Sequence, residues 1–203
     1  MDCRAQPWAV ALSAITLTAF LAGARPAWCA GPPRDLVMTD LAGRRVHPLA
    51  GSDVRATVFV FTRTDCPVAA RYVPLLERLQ RRASSDHMAF WLVFVDREEP
   101  AAAIRAYLET YGFHGRALRD SEHALVQFAG ASITPEAVVF AYGTKGPTLI
   151  YRGRIDNRYE APGRVRPAPT LRDLEDVLDA LAAGRSIPFR STEAVGCVIA
   201  DLQ

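Results

Sequence analysis

The sequence predicts an α/β fold, a three-layer α/β/α sandwich on a mixed central sheet with an N-terminal β-hairpin, and three stretches carry that reading. Residues 56–61, Ala-Thr-Val-Phe-Val-Phe, are a short run of β-branched and aromatic residues that leads into a segment with apolar residues at helical spacing. Residues 88–96, Met-Ala-Phe-Trp-Leu-Val-Phe-Val-Asp, are almost unbroken apolar sequence, as expected of a strand covered on both faces. Residues 136–141 and 148–152 read as two more strands, joined by Tyr142-Gly143-Thr144-Lys145-Gly146-Pro147, whose glycines suit a tight antiparallel turn. Parallel units first and a hairpin afterwards make a mixed sheet with helices on both faces.

Taken in order, residues 1–30 read as a secretory leader, with Arg4 and the amino terminus ahead of an apolar run from Trp8 to about Ala22. That run is short for the ~20 apolar residues of a membrane span, so a membrane is a partner only if the leader is retained. The remaining residues 31–203 suit a single domain in a periplasmic or extracellular setting. A formal net charge of +2 lacks the concentrated basic surface that nucleic acid demands, which excludes it as a partner.

Leu36-Val37-Met38 and Arg45-Val46 flank the turn signal Asp40-Leu41-Ala42-Gly43, a hairpin ahead of the core. After the first long strand, Val68, Tyr72, Leu75, Leu76 and Leu79 mark one helix face. Pro100 opens the next helix, striped by Ile104, Tyr107, Leu108 and Tyr111 and stopped by Gly112. Residues 117–119 are a short strand, and Ser121 is the expected N-cap of a helix through Phe128 that ends at Gly130. Residues 156–169, polar and proline-rich, read as a surface connector. A last helix over 170–183 sets Leu171, Leu174, Val177, Leu178 and Leu181 on one face. The tail, residues 185–203, has little regular pattern.

Chemistry concentrates at the junction of the first long strand and its helix, where Cys66 stands. The unpaired N–H groups and positive dipole end of a helix favour a thiolate, the nucleophilic form of cysteine. Arg63 is a candidate thiolate stabiliser, opposed by Asp65. Cys3 and Cys29 leave with the leader, so Cys66 and Cys197 remain. In an oxidising compartment such a pair serves as a structural disulfide or as a redox couple, and spacing alone does not choose. His47, His87, His114 and His123 are scattered without paired ligand spacing, so no metal and no cofactor is expected. Asp96, Glu98 and Glu99 read as a charged strand end facing water, with proton transfer as the alternative. No glycine-rich phosphate loop or serine-nucleophile motif occurs.

Residues 56–80, with Cys66 at their centre, resemble the active-site strand, loop and helix of the thioredoxin-like redoxins, the group that includes the alkyl hydroperoxide reductase/thiol-specific antioxidant family. Residues 133–140, Ile-Thr-Pro-Glu-Ala-Val-Val-Phe, resemble the cis-proline loop and following strand of that fold, and residues 149–154 the next strand. The ending Ala-Val-Gly-Cys-Val-Ile, residues 194–199, resembles the Gly-Cys tail of one bacterial branch. The resemblance implies a nucleophilic Cys66, a cis Pro135 packed on the cysteine loop, and a Thr134 backbone free to pair with an extended substrate. It makes Cys197 a candidate resolving cysteine that attacks oxidised Cys66. It also implies a protein disulfide or a peroxide as substrate and a thiol protein as reductant. The chain departs from the usual active-site motifs: Cys-x-x-Cys is blocked by Arg63 on one side and Ala69 on the other, Thr-x-x-Cys again by Arg63, and the Sco-like Cys-x-x-x-Cys by Ala70. Two function classes follow, an exported thiol-dependent oxidoreductase and a non-catalytic binding or metallochaperone module braced by its two cysteines.

Overall fold

A computed structural model of the chain describes residues 36–51, 53–144 and 146–200. The leader expected over residues 1–30 lies outside the described residues. The first hairpin pairs β1 (Met38–Asp40) with β2 (Arg45–Val46), and the Asp40 carboxylate accepts the backbone N–H groups of Ala42 and Arg44 at 2.9 Å each, closing the turn. β3 (Ala56–Thr62) leads into α1 (Pro67–Ser85), which returns to β4 (Met88–Phe94), parallel to β3 from Ala56↔Met88 to Thr62↔Phe94. α2 (Ala101–Tyr111) then returns to β5 (Arg116–Arg119), parallel to β4. After α3 (Ala124–Ala129) come the two-residue β6 (Ile133–Thr134) and the antiparallel pair β7 (Glu136–Gly143) and β8 (Gly146–Gly153). β9 (Tyr159–Ala161), β10 (Arg164–Val165), α4 (Asp173–Ala182), β11 (Arg190–Ser191) and β12 (Cys197–Val198) complete the order.

The main sheet runs β11-β8-β7-β3-β4-β5-β1-β2, so β3 and β4 sit near its middle, as their apolar sequence requires. Alternation along each strand divides the core in two. Val58, Val60, Phe90, Leu92 and Phe94 face α1, α2 and α4, while Phe59, Phe61, Trp91 and Val93 face α3. Three layers result, with α1, α2 and α4 on one face and α3 on the other among the described residues.

The expected N-terminal hairpin is present, and β1 also pairs with β5, so it extends the main sheet. Three local expectations are corrected. Ser121 does not cap α3: the helix begins at Ala124 after a left-handed His123, and the buried Asp120 carboxylate accepts the Val126 N–H at 2.8 Å. The last helix starts at Asp173, because the Asn157 side chain takes the N–H groups of Thr170 and Leu171 at 2.8 and 2.9 Å and leaves Leu171 51% exposed. Nor is the stretch 156–169 a mere connector. It holds the β9–β10 hairpin and buries Asp156, Asn157 and Tyr159, with the Tyr159 ring 5.7 Å from that of Tyr72.

Candidate active site

Cys66 occupies the N-cap of α1 with extended backbone (φ −87°, ψ 109°), followed by Pro67 at the first helical position, where the missing N–H costs nothing. Its carbonyl accepts the Ala70 N–H at 3.0 Å. The sulfur makes no capping bond to the helix amides. It is instead turned across the end of the sheet, where the thiol donates to the Thr134 carbonyl at 3.1 Å. Cys66 is 1% exposed.

The segment it meets is the loop around Pro135, whose bond to Thr134 is cis, as the resemblance implies. Glu136, at the start of β7, braces this loop: its carboxylate accepts the N–H of Ser132 at 2.8 Å and of Ile133 at 3.3 Å. Burial pushes the Glu136 carboxyl up, while those two amides and Arg152 pull the other way.

The Thr134 backbone, expected to be a free docking edge, is already occupied. β12 pairs with β6 in antiparallel register, Cys197 opposite Thr134 and Val198 opposite Ile133. The Thr134 hydroxyl donates to the Cys197 carbonyl at 3.2 Å, and the Ile199 N–H donates to the Ser132 carbonyl at 2.9 Å. This brings the two cysteines together although 131 positions separate them: the Cys197 thiol donates to the Cys66 sulfur with the two sulfurs 2.6 Å apart, and both cysteines are free thiols. Burial pushes the Cys197 thiol up to about 12, with the bond to Cys66 and the charges of Cys66 and Asp65 acting the same way and Arg63 opposing them.

Arg63 is paired with carboxylates rather than with the Cys66 sulfur. Its Nη2 lies 2.9 Å from Asp65 and 3.2 Å from Asp96. The charged end of β4 is therefore built into the site's wall: Asp96 holds Arg63, and the Thr64 hydroxyl donates to Glu99. Three features of the wall differ from their sequence reading, which puts Tyr107 in a helix stripe, Glu99 at a water-facing strand end and His123 among scattered histidines. The Tyr107 hydroxyl is buried without a hydrogen-bond partner among the described residues, and burial, with the charges of Tyr111, Cys66 and Glu99, pushes it up. Glu99 Oε2 is likewise buried and unpartnered. His123 is buried and donates Nε2–H to the Val95 carbonyl at 2.7 Å. Tyr107 sat in a helical stripe, where an aromatic reads as core, so no local signal set it apart.

Among the described residues, no group of three or more His, Cys, Asp or Glu is gathered to hold a metal ion, and no helix is long and apolar enough to cross a membrane.

No protein-family model and no curated protein matches the chain. Solved structures do. A hypothetical protein of Sinorhizobium meliloti is similar with a TM-score of 0.69 at 21% identity, over 80% of this chain and 88% of that one. An uncharacterised conserved protein of Geobacillus kaustophilus gives 0.69 at 23% identity, over 80% and 86%. The thioredoxin domain of a thiol-disulfide oxidoreductase from Bacteroides vulgatus gives 0.52 at 13% identity, over 72% and 92%. The fold is thioredoxin-like, a mixed α/β sandwich.

Proposed function

We propose that this chain is an exported thiol-dependent oxidoreductase of the redoxin type, reducing disulfides through Cys66 with Cys197 as the resolving cysteine. The observation that carries the reading is the meeting of the two sulfurs at 2.6 Å, one at a helix start and the other on a strand beside a cis-proline loop. The Cys66 thiolate attacks one sulfur of a substrate disulfide, forms a mixed disulfide and expels the other half as a thiolate. Cys197 then attacks Cys66, expels the second half and closes a Cys66–Cys197 bond. An external dithiol protein returns the two electrons and two protons. Thr134 and Pro135 are the substrate-facing edge in this scheme, and Arg63 acts through its charge on the sulfur pair.

Peroxide is a second reading, favoured by one observation: Cys66 is 1% exposed beneath the tail, which leaves room for a small oxidant sooner than for a protein. There Cys66 becomes a sulfenic acid as the peroxide leaves as alcohol or water, and Cys197 displaces a second water to give the same disulfide. The Gly196-Cys197 ending supports a place in the redoxin branch that carries such a tail. Residues 1–30 as a cleaved leader support a periplasmic or extracellular site of action, which N-terminal sequencing of the exported protein checks.

The test exposes reduced mature protein to oxidised glutathione and, separately, to hydrogen peroxide, followed by peptide mass mapping. Wild type is expected to yield a Cys66–Cys197 link, and Cys197→Ser to trap glutathione or an oxygen adduct on Cys66. If both thiols resist these oxidants and alkylation until the protein is denatured, the cysteines are a brace and the non-catalytic alternative holds.

A further inference from the structure

The tail lies on the reactive sulfur as a foreign strand would. β12 adds to β6 through main-chain pairing, and its neighbouring positions meet different surroundings because strand side chains alternate in direction. At Gly196 there is no space for a side chain: a Cβ would stand 2.0 Å from the Thr134 carbonyl oxygen and 3.2 Å from Pro135 Cδ. Cys197 meets Cys66. Val198 is 68% exposed, whereas Ile199 is 3% exposed and sits in the core with Phe59 and Phe61. A recess of about 170 Å³ beside Ile199 and Ala200, walled by Arg63, Asp96, Glu98 and His123, continues the groove.

The segment before β12 is hydrogen-bonded at Thr192 and packs on the core through the half-buried Val195. The Thr192 N–H donates to the Arg152 carbonyl at 3.0 Å, its hydroxyl lies 2.8 Å from that of Tyr151 and accepts the Arg154 N–H at 3.1 Å. The Thr192 carbonyl oxygen fills the place of a Cβ on Gly153, at 2.2 Å. Between Thr192 and β12 no regular structure intervenes. While β12 is seated, no protein disulfide reaches Cys66.

Resting on the oxidoreductase reading above, we propose that the tail is a built-in stand-in for the substrate: after β12 swings out about Thr192, the site takes an extended partner segment reading glycine, cysteine, any residue, aliphatic. The Cys66 thiolate attacks the sulfur of the partner's cysteine, breaking its disulfide and releasing the other sulfur as a thiolate. The returning Cys197 breaks the Cys66–partner bond, and the partner leaves reduced by two electrons. A dithiol protein reopens the Cys66–Cys197 bond for the next turn.

The test uses the full mature chain with Cys197→Ser, alone and combined with Ile199→Asp. The probe is the peptide Glu-Ala-Val-Gly-Cys-Val-Ile-Ala, copied from residues 193–200, with its cysteine as the 2-thiopyridyl disulfide. Three further versions replace the glycine by valine, the residue after cysteine by threonine, or the isoleucine by serine. The 2-thiopyridyl disulfide of cysteamine serves as a small probe, and released 2-thiopyridone gives the rate. Ile199→Asp is expected to speed the parent peptide about tenfold, and valine for glycine to slow it about tenfold. Serine for isoleucine should slow it about fivefold, and the change after cysteine should stay within about twofold. Gly196→Val, which evicts the tail by steric clash without touching the Ile199 seat, should speed the parent peptide as Ile199→Asp does and stands in if that variant misfolds. Equal rates for all four peptides overturn the stand-in while leaving the oxidoreductase reading intact. A native Cys66 inert to the small probe sinks that reading itself. A peptide rate that falls as protein concentration rises would assign the groove to a second copy's tail and overturn a different protein as partner.

Discussion

The two sulfurs are held by regions built on opposite plans. Cys66 stands where β3 meets α1, a 19-residue helix, on a strand paired along its whole length to β4 on one side and nearly so to β7 on the other. Cys197 stands on a two-residue strand, fastened by its pairing with β6, the Ile199 seat and the Thr192 anchor. Burying one large aliphatic or aromatic side chain contributes about 1.5–3 kcal/mol, and the β3–α1 region buries many where the tail end buries Ile199. A large difference in local opening free energy is the expected consequence: hydrogen exchange should show the sheet opening only on global unfolding and the tail opening at lower cost. One cysteine is fixed in place and the other is deliverable, which is the division a resolving step needs.

The sharpest way to break that contrast is to remove the fixed partner. Cys66→Ser should drop disulfide reduction to the rate without protein while far-ultraviolet circular dichroism is unchanged. Residual turnover through Cys197 alone would erase the distinction. Removing the deliverable partner is milder: Cys197→Ser should stop multiple turnover yet still form one mixed disulfide per chain, counted by quenched mass analysis.

Tyr72→Phe probes the rigid side alone. The Tyr72 hydroxyl donates to the buried Asp156 carboxylate at 2.5 Å, so its loss should cost about 1–3 kcal/mol in urea unfolding and leave the sulfur chemistry untouched. Thr192→Val probes the other side. It should cost only about 1 kcal/mol globally but raise the alkylation rate of native Cys66, because the anchor is one of the three fastenings that keep the tail over that sulfur.

The smallest effect concerns pH. The Cys197 thiol is held protonated in the folded protein up to about 12 against an ordinary value of 9.0. The unfolded or detached tail therefore loses its proton first, so the seated tail of the reduced protein has its full stability below pH 9 and loses it as pH rises toward 12. Cys66→Ser removes the hydrogen bond and charge that add to burial, and should move the Cys197 alkylation inflection downward. An unchanged inflection would mean that burial alone sets it.

How much of this was readable follows the same divide. β3, α1 and β4 declare themselves because long elements repeat their apolar period many times, as Val58, Val60 and Phe90, Leu92, Phe94 do. Two-residue strands such as β6, β11 and β12 have no period to read and exist only because a partner backbone lies beside them. The cis bond at Pro135 was legible by resemblance, but that the edge beside it would be filled by the chain's own tail was not. In the sequence Gly196 reads only as part of an ending, whereas the fold makes it the residue type that fits under the Thr134 carbonyl. The start of α4 is not legible locally, because Leu171 suits a helix face while a distant Asn157 side chain claims its amide.

The pin at Thr192 also sets a length. Five peptide units separate it from Cys197, and a fully extended chain covers at most about 3.6 Å per residue, so the second sulfur's carrier is leashed within about 18 Å of the pin. Any protein that replenishes electrons through Cys197 must bring its own thiols inside that radius, on the sheet end where β8 and β11 finish. On the proposed oxidoreductase reading, the leash bounds where a reductant that works through Cys197 would dock, and lengthening the stretch 193–196 would widen that boundary.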